Sequence, residues 1–477
     1  ALARRIDAVA AGLVGEFGVR RGDRIVHLGY NSADMLVLLL AVARIGAMLV
    51  PLNWRLAPPE HAFIVADAEP ALIVVEAEFT ERLGGLKASA PGARVMLLDG
   101  AEVGTDADKS LAMPELAKAF EGRSAGGGAI GDPLLIVYTS GTTGRPKGAV
   151  LTQDQVRWNA LASIHMHGLM AADHVLTVLP MFHVGGLNIQ TTPALLAGAT
   201  VTIHKRFMPD ATLAAIASER PSLTVLVPPT LQALLDHPGF AAADLTSLRL
   251  VTTGSTIVPE HLIEAFAARG LRIVQVYGST ETGPVAIYER FDQLRGRPGT
   301  TGVAGIFHEA MIADDGGRPV ADGTRGEILL KGPNLFSGYW RDDKATAAAF
   351  RDGWYLTGDI ASRSGDGHFT VHDRKKNVII SGGENIYPAE VERVIAEFPG
   401  IAEAAVVGQP DPRWQEVAVA VVVPVPGARI DTAALMGHLA ANLARYKLPR
   451  EVLVRDALPK NALGKILHYA IRRELEG

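Results

Sequence analysis

No cysteine occurs among the 477 residues. That excludes a disulfide framework, thiolate zinc sites and a cysteine nucleophile, and it suits a reducing compartment, so a cytoplasmic location is expected. Blocks of like charge are also missing. The formal net charge of −5 is spread over interspersed acids and bases, which argues against a nucleic-acid partner and against anchoring to anionic lipid. Long apolar runs are scarce. The most membrane-like stretch, residues 35–52, is interrupted by Arg44, Gly46 and Pro51, so it reads as a core helix entering a strand and no transmembrane segment is expected. The beginning of the chain has no signal-peptide pattern. It opens directly in a helix-like stretch over 1–17, and further residues are expected to precede it. No repeat of fixed period appears.

What the chain does have is length and apolar material. It is too long for one ordinary core, so two or more domains are the default. Hydrophobic residues make up 48% and charged residues 20%, enough for packed interiors. Fifty glycines lie scattered through structured-looking segments and point to tight turns and close approach of backbone to ligand. Short apolar runs at 24–28, 48–51, 72–75 and 94–98 alternate with helical patterns such as 33–44. The alternation resumes from 150 to 290, with strands expected at 175–179, 199–203, 223–227, 249–253 and 272–275. This predicts α/β layering with largely parallel sheets. Residues 302–330 read as a small β-subdomain. Near 374 the texture changes: strands at 377–380, 403–407 and 416–423 with helices at 389–397 and 432–444 predict a separate small α+β domain.

Five segments carry chemistry. In Tyr138-Thr-Ser-Gly-Thr-Thr-Gly-Arg-Pro-Lys-Gly148 a buried strand runs into hydroxyls, glycines and a lysine. Glycines let backbone N–H groups turn toward an anion, and Thr139, Ser140, Thr142, Thr143 and Lys147 add donors around Gly141 and Gly144. The spacing is not that of the usual P-loop. Gln275-Val-Tyr-Gly-Ser-Thr-Glu-Thr-Gly-Pro284 ends a strand in a tyrosine, a glycine turn, hydroxyls and an acid. Glu281 alone would be a solvated loop charge, but beside bound phosphate it suits magnesium, a hard cation that carboxylate and phosphate oxygens share. Trp354-Tyr-Leu-Thr-Gly-Asp359, followed by Asp373-Arg-Lys-Lys-Asn377, offers a carboxylate that either caps a turn or accepts both ribose hydroxyl protons. Ser381-Gly-Gly-Glu-Asn-Ile-Tyr-Pro-Ala-Glu390 holds paired glycines that admit a narrow ligand. Leu458-Pro-Lys-Asn-Ala-Leu-Gly-Lys465 ends in a lysine that elsewhere would be an ordinary solvated charge.

The first segment resembles the phosphate loop of the adenylate-forming superfamily, which comprises acyl-CoA synthetases, peptide-synthetase adenylation domains and beetle luciferases. The resemblance extends in order over nearly the whole chain. It implies a large N-terminal domain over 1–373, a hinge over 374–377 with Lys376 as pivot, and a small mobile C-terminal domain over 378–477. It implies ATP, magnesium and coenzyme A as cofactors and a small-molecule carboxylic acid as substrate. Thr280 would contact the α-phosphate and Glu281 would hold the metal. Tyr277, with Gly278 and Ser279 following it, would flank the adenine, and Gly254, Ser255 and Thr256 would cover its other face. Asp359 and Arg374 would hold the ribose. Lys465 would stabilise the charge that builds as carboxylate and α-phosphate join. Gly382, Gly383 and the surface residue Trp414 would line the path of the pantetheine arm, in wording closer to acyl-CoA synthetases than to peptide synthetases.

Pro180-Met-Phe-His-Val-Gly-Gly186 sets a histidine among small and aromatic residues. By the same resemblance His183 gates the entry of the carboxylate, although it could equally be a satisfied core histidine. The remaining expected acyl wall is apolar: Val184, Gly186, Leu187, Val276, Pro284 and Val285. No aspartate follows Phe182 to pair an amino group, and Val276 stands where malonate-specific relatives carry an arginine. The expected substrate is thus a medium- or long-chain fatty acid or an aryl acid. The alternative is an adenylation enzyme that loads an amino acid or aryl acid onto a carrier protein. A luciferase-type oxygenase and a non-catalytic nucleotide binder are more distant rivals. Oligomeric state is not legible, and a homodimer stays open.

Overall fold

The computed structural model describes residues 1–99, 112–139, 146–254, 258–293, 299–381, 384–461 and 464–476. Among these residues four sheets form. The first runs in the order Gly338–Tyr339, Lys147–Thr152, Pro133–Thr139, Met48–Pro51, Arg24–Leu28, Leu72–Val75, Arg94–Leu97. Its last five strands are parallel, and the two at the other edge join antiparallel. Strands such as Leu72–Val75 are buried along their whole length, which is why they are written as continuous apolar runs without alternation. The second sheet runs Val303–Ala304, Ile287–Tyr288, Ile273–Tyr277, Leu250–Gly254, Leu223–Val225, His174–Thr177, Thr200–Ile203, with a parallel centre.

The stretch over 35–52 is the core helix and strand expected of it. Ser32 accepts the N–H of Met35 at 3.1 Å to start the helix Ala33–Ile45. Gly46 ends it at φ 72°, a left-handed conformation that glycine takes without strain. Among the described residues no helix is long and apolar enough to cross a membrane.

The third sheet, Glu309–Ala313, Gly326–Lys331, Trp354–Arg363 and Phe350–Arg351 with Phe369–Arg374 alongside, enlarges the β-rich region expected over 302–330. The fourth sheet carries Glu384–Ile386, Ile379–Ser381, Gln415–Pro424, Ile401–Asp411 and Glu451–Val454. One of its apolar faces packs against the helices Pro388–Ala396 and Thr432–Asn442 around Val391, Val394, Ile395, Leu435 and Leu439, and the other packs on Leu458 and Ile471. The strand expected over 377–380 begins later, at Ile379. Asn377 instead belongs to a short helical turn, because its side chain reaches back to the carboxylate of Asp373 at 3.2 Å.

The helix His468–Glu476 is tied down by ion pairs of Arg472 with Glu416, of Glu474 with Arg455 and of His468 with Glu392. His468 Nε2 lies 2.6 Å from Glu392 Oε1, and the same oxygen accepts the N–H of Val406 at 2.8 Å. Burial works against the imidazolium, but the hydrogen bond and charge of Glu392 outweigh it and raise the His468 pKa above 6.5. Folding therefore favours the protonated form. The contribution is full below 6.5 and is lost as pH rises through the raised folded value. His468→Gln is expected to lower the melting temperature of the C-terminal unit more at pH 6 than at pH 9. An equal loss at both pH values would show that charge plays no part.

Candidate active site

The strand Ile273–Tyr277 ends at the carboxyl edge of the second sheet, and a single helical turn, Thr280–Thr282, follows. Gly278 sits between them because a Cβ there would lie 1.8 Å from the carbonyl oxygen of Pro284. Ser279 N–H donates to Thr282 Oγ1 at 2.8 Å and closes the turn. Thr280 and Glu281 are buried. Gly254 ends the neighbouring strand in register with Val276, and a Cβ there would meet the Val276 carbonyl oxygen at 2.3 Å.

The strand Trp354–Arg363 alternates so that Tyr355, Thr357 and Asp359 face inward. Asp359 is paired with Arg374 in backbone register, and its Oδ1 accepts Arg374 Nε at 2.7 Å. Its Oδ2 accepts the Tyr277 hydroxyl at 2.7 Å. Burial first, and the Asp359 charge second, raise the Tyr277 pKa, so the phenol stays a donor. The Asp359 charge also raises the pKa of Arg374.

Thr139 and Lys147 face each other across the antiparallel pair at the open end of the first sheet. Of the phosphate-loop residues named from sequence, Ser140, Gly141, Thr142, Thr143 and Gly144 lie outside the described residues, as do Ser255, Thr256, Gly382 and Gly383. The two-residue strand Gly338–Tyr339 adds to the Lys147–Thr152 edge, and Tyr339 then connects the two motifs. Lys147 Nζ stands 5.2 Å from its ring centroid, and its hydroxyl donates to Glu281 Oε1 at 3.0 Å. Sequence reading missed Tyr339, because a two-residue strand is defined only by its partner.

Lys465 comes to this place from the far end of the chain. Asn461 shapes its loop, accepting Lys465 N–H on Oδ1 at 2.9 Å. A Cβ on Gly464 would stand 3.1 Å from Cγ of Pro229, so the loop rests on the second sheet's side of the molecule. Burial and the charge of Arg374 lower the Lys465 pKa to about 8, with Asp359 acting in the opposite sense. Lys376 is lowered for the same two reasons. Three cations, Arg374, Lys376 and Lys465, thus gather about one buried carboxylate. Asp373 braces the segment they come from: its carboxylate accepts the N–H groups of Arg374 at 2.6 Å and Ala389 at 2.8 Å.

Trp414 is exposed at the tip of the hairpin between Ile401–Asp411 and Gln415–Pro424, with Arg413 over its ring. Register places Gln415 opposite Ser381, so Trp414 stands near the end of the strand Ile379–Ser381. Among the described residues it forms no hydrogen bond or ion pair with the Asp359 cluster.

His183 caps the short helix Val184–Asn188. Its Nδ1 accepts Gly185 N–H at 3.0 Å, and burial lowers its pKa to about 4, so it is neutral with the proton on Nε2. The expected acyl wall divides. Val184 and Leu187 pack with the first sheet's core, while Val276 and Val285 pack with the second's. A Cβ on Gly186 would lie 2.3 Å from the Pro180 carbonyl oxygen, which holds the helix close against the preceding loop.

Three buried asparagines fix the turn that ends in Pro284 and Val285. Asn159 donates to the Asn188 carbonyl at 2.7 Å and accepts Val285 N–H at 2.9 Å. Asn188 donates to the Gly283 carbonyl at 3.2 Å. Asn334 donates to the Thr282 carbonyl at 2.6 Å. Their signal in the sequence was an amide inside an otherwise apolar helix or strand flank, too common a pattern to single out. Asn159→Ala is expected to cost about 1–3 kcal/mol for each backbone group left unpaired, read by chemical denaturation. An unchanged midpoint would remove Asn159 from this role.

The model of the AMP-binding enzyme family matches residues 1–340, and that of the AMP-binding enzyme C-terminal domain matches residues 390–465. An indoleacetate–CoA ligase of Aromatoleum aromaticum is 47% identical over 99% of this chain and 92% of its own length. A feruloyl-CoA synthase of an Amycolatopsis species is 40% identical over the same shares. The ATP-bound structure of MatB from Rhodopseudomonas palustris superposes with a TM-score of 0.90 at 32% identity, over 100% of this chain and 93% of that one. With matches of this extent to both parts of the chain, it belongs to the AMP-binding enzyme family and is an acid–thiol ligase.

Proposed function

We propose that the chain joins an aromatic carboxylic acid to coenzyme A through an acyl-adenylate, consuming ATP. The gathering of Arg374, Lys376 and Lys465 around Asp359 carries the reading. Such a group of cations repels itself until a polyanion arrives; burial first, and the charge of Arg374 second, depress both lysine pKa values. The two relatives above, named for indoleacetate and ferulate, support an aromatic acid over the fatty acid that the sequence left equally open.

In this reading Asp359 accepts the ribose hydroxyls, and Arg374 and Tyr277 hold its carboxylate in place. Lys147 lies against the triphosphate. Glu281 is a buried carboxylate steadied by Tyr339, and among the described residues no cage of three acids or histidines surrounds it. That donor set fits magnesium, which binds one or two carboxylates and completes its octahedron with phosphate oxygens and water. The ion would screen phosphate charge from the incoming carboxylate. Neutral His183 guides the acid in through Nε2–H. The carboxylate oxygen attacks the α-phosphorus and pyrophosphate leaves, while Lys465 neutralises the growing charge. The segment 374–377 then turns, Lys465 withdraws, and Gly382 and Gly383 admit the thiol of coenzyme A. The thiol sulfur bonds to the acyl carbon, AMP departs and the thiol proton is released. The division into 1–373, a hinge and 378–477 belongs to the same proposal.

Pyrophosphate release with ATP and magnesium, over acids from acetate to palmitate plus aryl and amino acids, tests the substrate. Release with aryl acids, and AMP with a thioester only when coenzyme A is present, is expected. Release with amino acids alone would favour carrier loading instead. Lys465→Ala is expected to slow pyrophosphate release by about 10²–10³-fold and to leave thioester formation from supplied acyl-adenylate nearly intact. Because kcat/KM for ATP reports the free enzyme, it should fall as pH rises past about 8, where Lys465 loses its proton. Lys465→Arg should keep its own rate to higher pH. A flat profile in the unsubstituted enzyme would remove the charge from the mechanism.

A further inference from the structure

Behind the expected acyl wall lies a fully buried polar chain that the mechanism does not use. His167 closes the helix Gln153–His167, and its Nδ1 lies 2.8 Å from the carbonyl oxygen of Ser163. A carbonyl only accepts, so Nδ1 carries the proton. Burial lowers the His167 pKa to about 4, so the ring is neutral and Nε2 is an acceptor. The hydroxyl of Thr252 lies 2.8 Å away and must donate to it. With its proton committed, Thr252 Oγ1 accepts from Gln190 Nε2 at 3.0 Å. Turning the Gln190 amide over would set its oxygen against an oxygen that has no proton left to give. The chain of donors therefore fixes Gln190 with Oε1 pointing away from Thr252. Gln190 is 1% exposed, and Oε1 meets no donor among the described residues.

This acceptor lies within reach of the acyl site. Gln190 lies four positions after Gly186, between the helices Val184–Asn188 and Thr191–Ala197, and the two residues line one narrow cavity with Thr177, Thr191 and Val225. Thr252 precedes Gly254 by two residues on the same face of one strand, a descent of about 6.6 Å, close to the depth of an aromatic ring. Val276 flanks Gly254 in register, and its carbonyl oxygen takes up the space where a Gly254 Cβ would stand.

We infer that Gln190 determines specificity by accepting a hydrogen bond from a ring N–H or O–H of an aromatic acid, at the end remote from its carboxylate. The inference rests on the aromatic-acid reading above and adds the polar group that the ring must carry. An acid of the same shape without the donor leaves Oε1 buried and unpaired, which is disfavoured.

The test pairs near-isosteric acids on the intact chain with ATP, magnesium and coenzyme A: indole-3-acetate against benzofuran-3-acetate, and 4-hydroxycinnamate against 4-fluorocinnamate. In at least one pair the donor-bearing acid is expected to lead in kcat/KM by about tenfold or more. Gln190→Met should bring that ratio toward one. The ratio is taken within one preparation, so a partly folded variant does not distort it, and the unsubstituted enzyme decides the matter alone if the variant fails to fold. Equal kcat/KM within both pairs, or an unchanged ratio in Gln190→Met, overturns the inference and leaves the aromatic-acid reading standing. Release of pyrophosphate with fatty acids and with no aromatic acid overturns both.

Discussion

The buried contact of Asp359 with Arg374 and Tyr277 is the constraint around which the rest of the molecule is arranged. A carboxylate removed from water must find strong partners or give up its charge. Here one partner comes from the adjacent strand of the third sheet and the other from the end of the second. Two sheets are thereby tied to one another, and the proposed site is built on this junction. The same pairing puts Arg374 at the start of the segment leading to the fourth sheet, so a single ion pair sets both a binding surface and the point from which the C-terminal unit departs.

Around that junction the chemistry depends on groups delivered from distant stretches. Lys147 opens a strand of the first sheet, Glu281 sits in the turn that follows a strand of the second, and the two meet through Tyr339, which a third stretch supplies. The turn after Tyr277 is held by amides rather than by apolar packing, since a loop buried at the mouth of a site must satisfy its backbone N–H and C=O groups somewhere. Asn159, Asn188 and Asn334 do so from three separate elements.

Much of this was legible in the sequence for one physical reason. Parallel strands buried on both faces demand unbroken apolar runs, and 24–28, 48–51 and 72–75 stood out with bounds close to those observed. The segments proposed to bind phosphate stood out because glycines and hydroxyls crowd a strand end. Tyr339, the asparagines and Gln190 were not, since each acquires its meaning from a partner a hundred or more positions away in some cases, and a single polar residue in an apolar run has many innocent readings. Tyr355 and Thr357 lay between these extremes: both stood inside a quoted motif, at alternate positions from Asp359, and period two alone would have put them on its face. The strand expected at 377 failed where a side chain, Asn377, turned back to Asp373 and diverted the backbone.

The way Lys465 arrives has a kinetic meaning. Beside the lysine, a Cβ on Gly464 would stand 3.1 Å from Cγ of Pro229. A carbon-to-carbon contact of this kind has no charge to rehydrate on parting, so in the proposed mechanism the charge that Lys465 faces would set its dwell time: long while a polyphosphate holds it, brief once pyrophosphate has diffused away. On that proposal the escape of the first product would itself be the signal for the second step.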